Sequence, residues 1–232
     1  MQTRLSCRTP RENDALEPIA NIHRETIERS LPLAERLSVG LGLLVIFAIL
    51  FLGVNEWSAQ RVSDGARSFY PEIAADAHIP FVPMLVFGYA LYYGWILLPV
   101  LLLRTRGHFY QVMIGFILIQ LPSILVFLVY PSQMTRPVVG GDDIASQLVR
   151  FLYRIDPGFN LLPSLHVGHS VLVALFFYTF RPKAFPWVAL GTLLIVLSTV
   201  LIKQHVVLDV LAGAALAVFA RIGAPLIYQR LD

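Results

Sequence analysis

The stretch WVALGTLLIVLSTVLIKQHVVLDVLAGAALAV, residues 187–218, has no proline, and no glycine near its middle marks a turn. As one α-helix it would reach about 48 Å at 1.5 Å per residue. The hydrocarbon core of a bilayer is only about 30 Å thick. The chain must therefore reverse within it, and Lys203-Gln204 is the polar break that allows this. Two membrane spans result, 186–202 and 205–228, with His205 and Asp209 at the mouth of the second.

Composition points the same way. Hydrophobic residues make up 56% and charged residues 14%, with a mean hydropathy of +0.68, against roughly 25% charged in soluble domains. This is the profile of an integral membrane protein. The 232 residues leave room for one domain of about six spans at ~20 residues each. The formal charge of +3 comes from scattered arginines and not from a basic face with interleaved aromatics, so a nucleic-acid partner is excluded. Cys7 is the single cysteine, which rules out an intrachain disulfide. Nothing in the sequence sets the oligomeric state.

Working outward, residues 1–36 are polar and mixed in charge, with Pro10, Pro18 and Pro32 interrupting any long helix. They read as a tail with one short amphipathic helix, and not as a secretory signal. The domain is then 37–232, with earlier spans at 37–54, 81–103 and 109–130 and a fourth at 163–180. Residues 58–80 read as a polar loop. In the polar segment 131–161, Ile144, Leu148, Phe151, Leu152 and Ile155 fall at helical spacing behind Asp142-Asp143. That predicts a helix of about three turns, capped by an aspartate and lying on the membrane or the bundle. The expected fold is all-α, a six-helix membrane bundle.

Six spans put both termini on one side. Of the eighteen Lys and Arg, only Arg61, Arg67, Arg136, Arg150, Arg154 and Lys203 lie outside the tail, the 104–108 and 181–183 links and the C-terminal end. The positive-inside rule makes the termini cytoplasmic. The 131–161 segment, the start of span four and the turn before span six then converge on the periplasmic or lumenal face, and an active site there faces outward.

Ionisable groups in membrane spans are costly and mark pathways or active sites. His205 and Asp209, four apart, can share a helix face, so the carboxylate can fix the imidazole tautomer and leave the other nitrogen to attack. A structural polar pair between spans is the alternative reading. His166 follows Pro163 and Ser164 at a helix start, where free backbone N–H groups favour anions. Arg136 stands in the outer loop. Together these describe a phosphate-ester site: a nucleophilic histidine with its orienting acid, a second histidine as proton donor, and cations for the oxygens.

These residues resemble the type 2 phosphatidic acid phosphatase superfamily. Pro163-Ser164-Leu165-His166 is similar to its second signature, Pro-Ser-Gly-His. Ser198, His205 and Asp209 match the third, Ser-Arg, five residues, His, three residues, Asp. Arg136-Pro137 resembles the end of the first, Lys, six residues, Arg-Pro. The resemblance implies that His205 forms a phosphohistidine oriented by Asp209, and that His166 protonates the leaving oxygen. It implies that Arg136, Ser164 and Ser198 bind the phosphate, without a metal or other cofactor. The signature lysine falls on Val129 and the signature arginine on Thr199, so Lys203 is expected to replace one cation. The Pro-Ser-Leu-His form, with Lys-Gln-His and Leu-Asp, is more similar to the inositol phosphorylceramide synthase branch.

Three readings follow: a lipid phosphatase acting on a lipid phosphate in the membrane, a head-group phosphotransferase of that branch, and a transporter. In the last, His166, His169, His205 and Asp209 would form a proton path or a tetrahedral zinc site.

Overall fold

The computed structural model describes residues 29–231, so the short amphipathic helix expected in the tail lies outside the described residues. Regular structure among the described residues is helical, with only isolated single-residue bridges besides.

Helix α1, Leu33–Ser63, begins before the expected boundary at 37 and runs well past Val54. Its start is drawn in by Arg36, a buried residue whose guanidinium donates to the carbonyls of Val100 and Leu101 at 2.6 and 3.0 Å. Its far end corrects the loop expected from Ser58. Asn55 Nδ2 donates to Asp156 Oδ1 at 3.3 Å, Ser58 and Asn160 are hydrogen-bonded at 3.1 Å, and Arg61 lies over the Trp57 ring at 4.6 Å. Asn55 and Ser58 are buried against protein, although their composition alone suggested solvent, whereas Arg61 stays exposed.

The run expected as one span over 81–103 is broken. A 3-10 turn, Pro83–Leu85, leads into α2, Val86–Trp95, and then α3, Leu98–Leu102. Pro99 has no N–H to return to the Trp95 carbonyl, so the helix interrupts there. Helix α4 is Arg106–Val129, and α5 is Ile144–Ile155. Asp143 caps α5 by accepting the Ser146 N–H at 3.0 Å, and its bonds to Ser146 hold the carboxyl below its ordinary pKa. Of the expected stripe on α5 only Leu152 is buried against the bundle, beside Val149 from outside the stripe, whereas Ile144, Leu148, Phe151 and Ile155 are exposed.

Helices α6, Leu165–Phe180, and α7, Phe185–Leu201, follow the expected limits closely. The reversal at Lys203-Gln204 is present, with Lys203 in the left-handed region at φ 53. Helix α8, Val207–Leu231, starts two residues later than expected, which leaves His205 in the turn. Helices α1, α4 and α8 are long and apolar enough to cross a membrane, and α6 and α7 are apolar but shorter.

Helix α8 packs mainly on α6 and α4, α6 also packs on α7, and α2 rests against α7. The core lies between them, with Phe109, Phe127, Phe176, Phe177 and Leu172 fully buried. One end gathers the links 104–108 and 181–183 beside the chain entering α1, through Leu31 N–H to Arg104 and Arg181 to the Leu102 carbonyl. The opposite end gathers 64–80, 131–161 and the 203–206 turn.

Candidate active site

The site is built where α6 and α8 meet. A Cβ on Gly213 would run into the Ser164 carbonyl, so only glycine lets the two helices approach so closely. There the Ser164 N–H donates to the Asp209 carbonyl at 3.1 Å. Ser164 also caps α6, its Oγ accepting the Val167 N–H at 3.3 Å. These bonds fix His166, two residues on, relative to Asp209.

Asp209 is fully buried near the start of α8, and its Oδ2 reaches back to accept the Val206 N–H at 3.1 Å. The same oxygen lies 3.3 Å from His205 Nδ1. The backbone N–H groups of Gln204 and His205 both donate to the Thr199 carbonyl, at 2.9 and 3.1 Å. The imidazole is thus held from α7 and α8 together. With Nδ1 directed at the carboxylate, Nε2 is the ring nitrogen left on the far side.

The His166 ring centroid is 5.7 Å from that of His205. His166 lies against Tyr89 and Tyr92, with centroids 4.5 and 4.3 Å away. It also lines a mostly apolar cavity of about 280 Å³ between α1, α2, α4 and α6. His169, deeper on α6, meets the Tyr92 hydroxyl through Nδ1 at 2.9 Å. Among the described residues no group of three or more His, Cys, Asp or Glu comes close enough to hold a metal ion.

Arg136 is anchored one residue from His205. It donates to the Gln204 side-chain oxygen and to the Asp156 carbonyl, each at 2.6 Å, and lies over the Tyr153 ring at 4.5 Å. Tyr153 in turn donates to the Ile202 carbonyl at 2.6 Å, and burial pushes its hydroxyl up to about 12, which keeps it a donor. The Lys203 ammonium donates to the Asp76 carbonyl at 3.1 Å. Ser198 lies inside α7, where its hydroxyl donates to the Leu194 carbonyl at 2.6 Å beside Gly88. Of the two positions where the signatures would place cations, Val129 is 79% exposed at the end of α4 and Thr199 is fully buried.

Sequence reasoning missed Asp76, a buried carboxylate that accepts the Val207 N–H at 2.9 Å and so caps α8 from a distant 3-10 turn. No motif marks it. It also passed over Gln204, taken only as part of a turn, and the Tyr89–Tyr92 pair, whose i, i+3 spacing on an apolar helix was the available signal.

A family model described as the PAP2 superfamily matches residues 71–222. No curated protein and no solved structure matches the chain.

Proposed function

The chain belongs to the PAP2 superfamily, and from that membership we propose that it is a membrane lipid phosphatase or phosphotransferase that cleaves a lipid phosphate ester through a phosphohistidine. The observation that carries this reading is the His205–Asp209 contact at 3.3 Å with His166 beside it.

In the proposed reaction His205 Nε2 attacks phosphorus, the P–O bond to the lipid breaks, and His166 gives its proton to the departing oxygen. Asp209 holds the Nδ1 proton and stabilises the charge that develops on the ring. Water then attacks the phosphorus, His166 takes its proton, and the P–N bond breaks to release inorganic phosphate. Arg136 and Lys203 supply positive charge near the phosphate oxygens, and Ser164 with the first-turn N–H groups of α6 completes the cradle. Ser198, engaged within α7, stays outside it.

The apolar chain and the cavity under His166 support a lipid substrate. Six crossings with cytoplasmic termini are the proposed topology, supported by the arginine-rich links gathered at the end opposite the site. The runner-up is head-group transfer of the inositol phosphorylceramide synthase type, in which an alcohol replaces water as acceptor; the Pro-Ser-Leu-His form favours it.

Release of free phosphate from detergent-solubilised lipid phosphates, with and without alcohol acceptors, separates the two. A phosphatase releases phosphate without added alcohol; a transferase passes the phosphoryl group to the alcohol as a new phosphate monoester, or, from a phosphodiester head-group donor, as a new phosphodiester, only when the alcohol is present. Neither product from any lipid phosphate would overturn the reading.

A further inference from the structure

The cavity beneath His166 is walled on one side by α1, which is tied at both ends. Arg36 binds its start to α3, and Asn55 and Ser58 bind its far part to Asp156 and Asn160. Between those ties Leu44, Phe47 and Phe51 line the cavity, opposite Tyr92 and Met113. An apolar slot of this shape takes a hydrocarbon chain.

Polar groups interrupt it: Asp156 accepts from Asn55 and the Gly158 N–H, His169 meets Tyr92 through Nδ1 and keeps Nε2 without a partner, and Gln120 faces it from α4. Gln120 of α4 lines the slot and is only 1% exposed, and its amide nitrogen has no hydrogen-bond partner. A buried donor without an acceptor is costly, so a ligand that carries an acceptor to this point is favoured. The depth is also informative. Phe116, one turn before Gln120, meets the His169 ring edge-on at 5.0 Å, and His169 lies about 4.5 Å along α6 from His166 at 1.5 Å per residue. Gln120 therefore stands close to the phosphate site, at the level where a lipid head joins its chains. In acyl lipids that junction carries a carbonyl oxygen, and in prenyl phosphates it carries none.

Resting on the reading of this chain as a lipid phosphatase or phosphotransferase, we propose that the slot holds one acyl chain of the substrate and that Gln120 donates a hydrogen bond to its ester or amide carbonyl. The substrate class is an acyl lipid phosphate. A prenyl phosphate leaves the Gln120 nitrogen unbonded.

Binding of phosphonate analogues, which resist cleavage at the C–P bond, tests this on the purified full-length protein. Three probes of equal chain length are compared: a diacyl ester, its dialkyl ether counterpart, and a ceramide-type amide. Wild-type protein is expected to bind the ester or the amide at least tenfold tighter than the ether, and whichever leads identifies the source of the carbonyl. Gln120→Leu should bring all three within about twofold. Ala48→Trp, placing bulk on the exposed cavity-lining position of α1, should weaken all three.

Equal binding of ether and carbonyl probes, a preference retained in Gln120→Leu, or no binding of any probe would overturn the proposal. Turnover reports separately. A carbonyl preference without phosphate transfer from the matching lipid sinks the functional reading and leaves the slot standing; transfer without the preference does the reverse.

Discussion

Asp209 holds two groups with one buried carboxylate, the Val206 N–H that opens α8 and the Nδ1 of His205. Asp209→Asn can keep an oxygen at the Oδ2 position for both groups, but without the negative charge that stabilises the imidazole as it becomes positive. Its turnover should fall by about 10²–10⁴, the usual contribution of positioned acid–base groups, while its melting temperature stays near wild type. Calorimetry beside a phosphate-release assay reads both. Arg136 and Lys203 make the second residue-scale case. Arg136→Ala should lower kcat/KM by a few kcal/mol of transition-state stabilisation, and Lys203→Arg should retain more activity than Lys203→Ala. Wild-type kinetics in both alanine variants would remove them from the cradle. The histidines, the aspartate and Arg136 were legible in the sequence because ionisable groups stand out in an apolar chain. The anchors Gln204 and Asp76 were not, because each acts through long-range bonds that no local spacing encodes.

The crossing of α6 and α8 sets the distance between the two histidines, and Gly213 permits it. Gly213→Ala would drive a methyl into the Ser164 carbonyl, a backbone atom that cannot rotate away. A destabilisation of about 1–3 kcal/mol is expected from such overpacking, with lost activity, whereas Gly42→Ala, which meets nothing within 4 Å, should leave both unchanged. Thermal unfolding in detergent with parallel rates checks the pair. Period and length located α4, α5, α6 and α7 closely, since hydrophobic runs bounded by charged links are strong signals. They failed at α1, where buried Ser58 was read as the start of a loop, and at the α2–α3 break, where Pro99 was hidden in an apolar run. The reversal at Lys203 came from bilayer thickness, and the positive φ there is what a chain without glycine adopts to make it.

For the molecule as a whole, the arginine-rich links meet at one end and the histidines at the other. In a Cys7→Ser background, Val138→Cys, at 97% exposed, should react with an impermeant thiol reagent added from outside, and Lys183→Cys should not. The opposite pattern would place catalysis on the cytoplasmic leaflet. The central claim is that phosphate passes through His205. Rapid quenching of the purified protein with an activated phosphate ester carrying labelled phosphorus tests it most directly. Wild type should show acid-labile, base-stable label on the chain, and His166→Ala should still form it, because a good leaving group needs little protonation. A folded His205→Ala should show no label and no turnover. Turnover by His205→Ala at the wild-type rate would contradict the account.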